Sequence, residues 1–221
     1  MSDVGAGAVA GGSGASVRDE VERLLAGPRP LPIVQAGHPV LRTGAARYTG
    51  QLDDALLSAL LTAMRDTMRA APGVGLAAPQ VGLGLAIAVV EDPWAVDDAA
   101  ATARERTGVP FRVLINPRYF PESDERVAFY EGCLSVHGWQ AVTPRWRSVR
   151  LTGSDERGRA LDEVLHGWPA RIVQHETDHL NGRLYVDGAE MRSLVSPYEA
   201  ARWAGDPTPH RAAVELGFPL P

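Results

Sequence analysis

The stretch Gln174-His175-Glu176-Thr177-Asp178-His179 decides how the rest of this chain reads. An α-helix completes a turn in about 3.6 residues, so positions four apart share a face and the imidazoles of His175 and His179 can reach one metal ion. Glu176 flanks that face, placed to take a proton from water on the same ion, which is why H-E-x-x-H marks metallohydrolases. The flanks predict the helix: Pro169 suits its first position, Ala170 to Gln174 carry the turn forward, and Asn181-Gly182 offers a left-handed stop. Without a third ligand the same residues would be a polar helix face whose histidines only hydrogen-bond.

A catalytic metal site of this kind has three protein ligands and one open position. The usual metalloprotease extensions do not supply the third: six residues past His179 stands Tyr185, and Asp187 and Glu190 lie beyond the helix with no second helical pattern. The only cysteine remains, in Glu131-Gly132-Cys133-Leu134-Ser135-Val136. A lone cysteine by itself reads as a small core hydrophobe. Here its flanks place it at a strand end. A third segment, Gly73-Val74-Gly75-Leu76-Ala77-Ala78-Pro79-Gln80-Val81-Gly82, follows a long helical pattern and precedes an apolar strand. Its glycines suit tight turns or close approach by a ligand backbone.

In this order the three segments resemble the peptide deformylase family, whose motifs read G-x-G-L-A-A-x-Q, E-G-C-x-S and Q-H-E-x-D-H-L-x-G. Every defined position is matched, and the resemblance spans Pro32 to Arg192. It implies that Cys133, His175 and His179 bind one divalent metal, that Glu176 is the general acid and base, and that Gln80 with the backbone N–H of Leu134 holds the oxyanion. Gly75 and Gly132 would lie beside the bound peptide backbone. Fe2+ is the ion implied in the cell, with Zn2+, Ni2+ or Co2+ in isolated protein; thiolate and imidazole donors alone do not separate them. The implied substrate is the formylmethionine of newly made polypeptides, with the ribosome transiently near. Val173 and Leu165 are candidates for lining the methionine pocket.

The chemistry is coherent residue by residue. A formyl group on an amine is an amide, and its hydrolysis needs activated water, a place for negative charge and a proton for the departing nitrogen. Arg145, Arg171 and Asp178 are candidates for orienting the ligands. Two positions depart from many bacterial members, His137 in place of Pro and Gln140 in place of Arg, and Gly138 to Val142 with Gly167-Trp168 look more like the organelle-type branch. Gln140 predicts weaker contact with peptide residues beyond the first, and Trp139 is either groove wall or plain core. Two rivals stand beside this reading: a metal-free cysteine hydrolase, and a non-catalytic relative that binds formyl peptides or inhibitors.

Composition sets the frame. With 221 residues and a single cysteine, one domain in a reduced compartment is expected, and a net charge of −5 without a Lys/Arg block argues against a nucleic-acid surface. No apolar run approaches the ~18 residues that span a bilayer, and no signal or transit peptide fits, so a cytoplasmic protein is expected. Residues 1–16 predict a flexible tail, 17–205 a single catalytic domain, and 206–221 a Pro-rich, loosely attached extension.

Leu56, Leu57, Leu60, Leu61, Met64 and Met68 predict an amphipathic helix over Leu52 to Ala70, and Val17 to Ala26 and Ser196 to Ala204 predict short ones. Strands are predicted over Leu85 to Val90, Phe111 to Ile115, Arg126 to Tyr130 and Trp139 to Val142, with a hairpin of Arg147 to Thr152 and Ala160 to Leu165. These elements give an α+β domain; mostly antiparallel strands around a central helix carrying His175, Glu176 and His179 is the arrangement the resemblance implies.

Overall fold

Alternating apolar residues put one strand between two layers. In the computed structural model, which describes residues 16–71, 73–93 and 99–221, strand β2 (Ile87–Asp92) sends Ile87 and Val89 into one core and Ala88 and Val90 into another. Period-two alternation with both faces apolar is what a strand covered on both sides requires. The predicted tail over 1–16 falls outside the described residues except for Ser16, the N-cap of helix α1 (Val17–Ala26).

The first core lies against helix α2 (Asp54–Ala70), whose N-cap Asp53 accepts the N–H of Leu56. Its stripe of Leu57, Leu60, Leu61, Met64 and Met68 is buried against Leu76, Ile87, Val89, Val113 and Ile115, so the methionines are packing residues. The second core is formed by Ala77, Ala88, Val90, Leu114, Val149 and Leu151 against Ala170, Ile172, Val173 and Leu180 of helix α4 (Gly167–Leu180). The helix bearing the two histidines is thus buried on the sheet, with α2 on the other side.

The sheet has five antiparallel strands in the order β1 (Gly75–Ala77), β2, β3 (Val109–Pro121), β6 (Ser148–Ser154), β7 (Ala160–His166). A short helix, α3 (Ala99–Ala103), precedes β3. A separate antiparallel pair, β4 (Arg126–Cys133) and β5 (Val136–Trp146), registers Gly132 against Gln140 and shifts register between Gly132 and Cys133. The expected α+β class with antiparallel strands about the motif helix is what the chain adopts. Its strands are longer than their apolar runs, because ladder bonding continues through polar residues once a neighbour is in place. Among the described residues no helix is long and apolar enough to cross a membrane.

The end of the chain differs from expectation. Over Ser196 to Ala204 only a single 3-10 turn forms, Ala200–Arg202, and the regular helix is α5 (His210–Leu216). The extension is not loose: Ala212 and Phe218 are buried with Trp203, Val195, Ala128 and Val142, packing the terminus on the β4–β5 hairpin. Prolines recur in it, but Ala212, Ala213 and Leu216 carry a helical apolar face.

Candidate metal centre and active site

Helix α4 begins at a tight corner. Gly167 has φ +58, and a Cβ there would sit 2.4 Å from the Cβ of Glu105, so only glycine fits. Pro169 is the third helical residue rather than the first, still within the turn whose N–H groups lack helical partners. Gly182, at φ +72, follows the C-cap Asn181 and ends the helix as its sequence predicts.

Between these ends the two imidazoles meet. Nε2 of His175 and Nε2 of His179 are 3.2 Å apart, and Sγ of Cys133 lies 3.2 Å from Nε2 of His179. The ligand atoms of Cys133, His175 and His179 all fall within 4.8 Å of one another. The register shift at the end of β4 delivers the sulfur, and the N–H of Ser135 points back at it from 3.4 Å. Nδ1 of His175 is committed to Glu131 at 3.1 Å, which leaves its Nε2 facing the other two donors. One sulfur and two imidazole nitrogens converging on a point fit a divalent transition-metal ion.

Glu131 is the hub behind this trio. It receives Nε and Nη2 of Arg145 at 2.6 and 2.9 Å, Nη1 of Arg171, and the ring of His175. Arg145 continues to Asp178 at 2.8 Å, and Asp178 accepts the hydroxyl of Tyr119 at 2.9 Å. Arg171 also donates to the carbonyls of Thr143 and Val127. The three candidate orienting residues therefore belong to one buried network. Burial alone would raise the Glu131 carboxyl, but Arg145 and then Arg171 hold it well below the usual carboxylate range. Burial lowers Arg171 to about 10. His175 is opposed by burial, yet Cys133 and Glu131 raise it to about 10, whereas burial and the neighbouring His175 push His179 well down.

Glu176 is different. It is 3 % exposed, its Oε2 is buried without a hydrogen-bond partner, and burial raises its pKa to about 7. A Cβ on Gly75 would lie 2.2 Å from Oε1 of Glu176, so the glycine gives the carboxyl its place. Gln80, 1 % exposed, accepts the N–H of Ala77 through Oε1 and so turns its amide N–H toward Sγ of Cys133 at 3.5 Å and Oγ of Ser135 at 3.4 Å.

These groups open on a cavity of about 610 Å³. Gly75, Gln80, Gly132, Cys133, Leu134 and Glu176 line it, and so do His137, Gln140 and a half-exposed Trp139, which is wall rather than core. Val173 and Leu165 do not. They pack only in the second core, whereas Ile172, a member of that core one helical step of about 100° away, also reaches the cavity beside Trp168, Ile33 and Val74.

A family model described as polypeptide deformylase matches residues 30–194. The chain belongs to that family. Peptide deformylase 3 of Streptomyces avermitilis is 61 % identical over 92 % of this chain and 91 % of its own, and peptide deformylase 1 of Bifidobacterium longum is 55 % identical over 86 % and 87 %. Among solved structures, a Met-Ala-Ser-bound class I type b peptide deformylase from Acinetobacter baumannii aligns with TM-score 0.64 and 34 % identity, covering 72 % of this chain and 97 % of that one.

Within this deformylase-family site, sequence reasoning gave no role to Glu131, Ile172 or Trp168. Glu131 stands two residues before Cys133 on the same strand, and that spacing was the available signal, since alternate strand residues share a face. Nε1 of Trp168 donates to buried Asp92 at 2.8 Å, and the guanidiniums of Arg104 and Arg106 lie over its ring, so the indole is a fixed part of the wall.

Proposed function

We propose that this chain removes the N-formyl group from the formylmethionine of newly made polypeptides, releasing formate, in a metal-dependent reaction. The observation that carries the reading is the convergence of the Cys133 sulfur with Nε2 of His175 and His179 beside a buried Glu176 at a cavity of about 610 Å³. Cys133, His175 and His179 would hold one divalent ion, Fe2+ in the cell and Zn2+, Ni2+ or Co2+ in isolated protein. When bound, the ion would supply an electrophile that acidifies water and polarises the formyl carbonyl.

Glu176, poised at a pKa of about 7, accepts the proton of the attacking water and returns it to the departing amine. The amide N–H of Gln80 and the backbone N–H of Leu134 face the negative charge that develops on the formyl oxygen. Each such donor is worth roughly 100-fold or more in rate. Gly75 and Gly132 leave room for the peptide backbone, and Ile33, Val74, Trp168 and Ile172 offer the apolar surface that a methionine side chain fills. Formylated chains emerging at the ribosome in the cytoplasm are the expected partners, with no nucleic-acid contact.

The distance of 3.2 Å from Sγ to Nε2 of His179 also suits a thiolate–imidazole pair acting without metal. One assay separates the readings. Protein loaded with ferrous iron without oxygen should release formate from a formyl-Met peptide, lose that activity to a chelator, and lose it in Glu176→Ala while still holding metal. Activity that survives chelation supports the cysteine mechanism. Well-metallated protein that binds formyl peptide without releasing formate is a non-catalytic relative.

A further inference from the structure

The cavity wall formed by Gly138, Trp139 and Gln140 is held from behind by residues that follow the motif helix. The hydroxyl of Tyr185 donates to the carbonyl of Trp139 at 2.9 Å. Gln140 and Val195 exchange both backbone hydrogen bonds, N–H to carbonyl at 3.2 and 2.8 Å. Pro197 fits against Gly138 so closely that a Cβ on that glycine would lie 2.5 Å from the proline Cγ. Tyr185 itself is 2 % exposed, and its ring stacks near-parallel to His175 at 6.3 Å. A two-stranded hairpin alone is marginal in water. These contacts give its free edge a third partner.

We propose that Tyr185, with Val195 and Pro197, is a positioning element that fixes the β5 wall and so sets how well the enzyme holds peptide residues beyond the first. Cys133 lies on β4, and β5 is one strand away, about 4.8 Å further out. A chain whose formyl group sits at the Cys133 trio and which runs across β4 toward β5 would meet Gly138 to Gln140 after its first residue. The inference rests on the deformylase reading and assigns part of its substrate recognition to the segment that follows the motif helix.

The test is Tyr185→Phe, which keeps the ring against His175 and deletes only the hydroxyl. Metal-loaded wild type and variant are compared on formyl-Met amide and on formyl-Met-Ala-Ser. One lost hydrogen bond predicts that kcat/KM for the tripeptide falls roughly three- to tenfold more than for the amide, through KM rather than kcat. Gly138→Ala, which pushes Pro197 away, should give the same length-dependent loss. An equal fall on both substrates, or none on either, overturns the inference and leaves the deformylase reading standing. Metal-loaded wild type that releases no formate from either substrate removes both.

Discussion

Gly75→Ala should silence catalysis although it replaces neither a candidate ligand nor an ionisable group. The added Cβ would lie 2.2 Å from Oε1, 2.5 Å from Cδ and 2.7 Å from Cγ of Glu176. Ordinary contact to carbon begins near 3.5 Å, so the carboxyl must retreat by about 1 Å. Because three consecutive atoms of the side chain are too close, a small twist at its tip does not relieve the contact, and the whole side chain must move on a helix that is buried against the sheet. A misplacement of about 1 Å can cost on the order of 100-fold in rate, and overpacking costs about 1–3 kcal/mol in stability. Formate release should therefore fall about a hundredfold in kcat, with metal content unchanged. In a Glu176→Ala background, which has no activity left to lose, the same change should cost little stability, since the group it displaces is already gone. If Gly75→Ala retained kcat within threefold of wild type at full metal loading, the placement of Glu176 by Gly75 would be wrong.

Three further outcomes are expected. Glu131→Gln leaves the buried Arg145 and Arg171 short of negative charge and frees the ring of His175; stability should drop by roughly 3–5 kcal/mol and metal affinity roughly 10- to 100-fold, read by urea unfolding and chelator competition, and an unaltered affinity would deny Glu131 its orienting role. Glu176 has a folded pKa of about 7 against an ordinary carboxyl value of 4.5, so in metal-free protein its proton stabilises the fold below pH ~4.5 and that contribution is lost as pH rises through ~7. Glu176→Gln should remove this pH dependence and make the metal-free protein more stable at pH 8 by up to about 3 kcal/mol; equal effects at pH 5 and pH 8 would contradict it. Phe218→Ala should cost about 3 kcal/mol because the side chain is buried against Trp203 and Ala212, and an unmoved unfolding midpoint would restore the view of a loose terminus.

The parts of the site that were legible in the sequence are the local ones. Spacing by four places His175 and His179 together whatever the rest of the chain does. The meeting of Cys133 with them is not local, and it was reached through the order of three motifs rather than through geometry. Roles that depend on which way a helix is rolled were out of reach. Both Ile172 and Val173 are apolar and buried in the same core, α4 is covered on nearly all sides, and only the packed structure decides that Ile172 also reaches the cavity while Val173 does not. Glu131 escaped notice because its function is defined by partners from β5 and α4. The terminus was misread because prolines obscured a short apolar face whose value depends on the hairpin beneath it.

Two buried carboxylates in one site are given opposite tasks by their surroundings. Glu131 is surrounded by two guanidiniums and an imidazole, which outweigh the cost of burial and keep it ionised. Glu176, adjacent in space to the same ligands, has burial as its dominant influence and an oxygen without a partner, so it is held where a proton is easily taken and given. Environments that push such a pair apart are how one site keeps a fixed anion beside a working acid. The asymmetry also explains why the arginines belong behind His175 rather than beside Glu176. A guanidinium paired with Glu176 would lower its pKa and, in the proposed reaction, remove its ability to return a proton to the leaving amine, while the same guanidinium on Glu131 would stiffen His175 and leave Glu176 free to act as that acid.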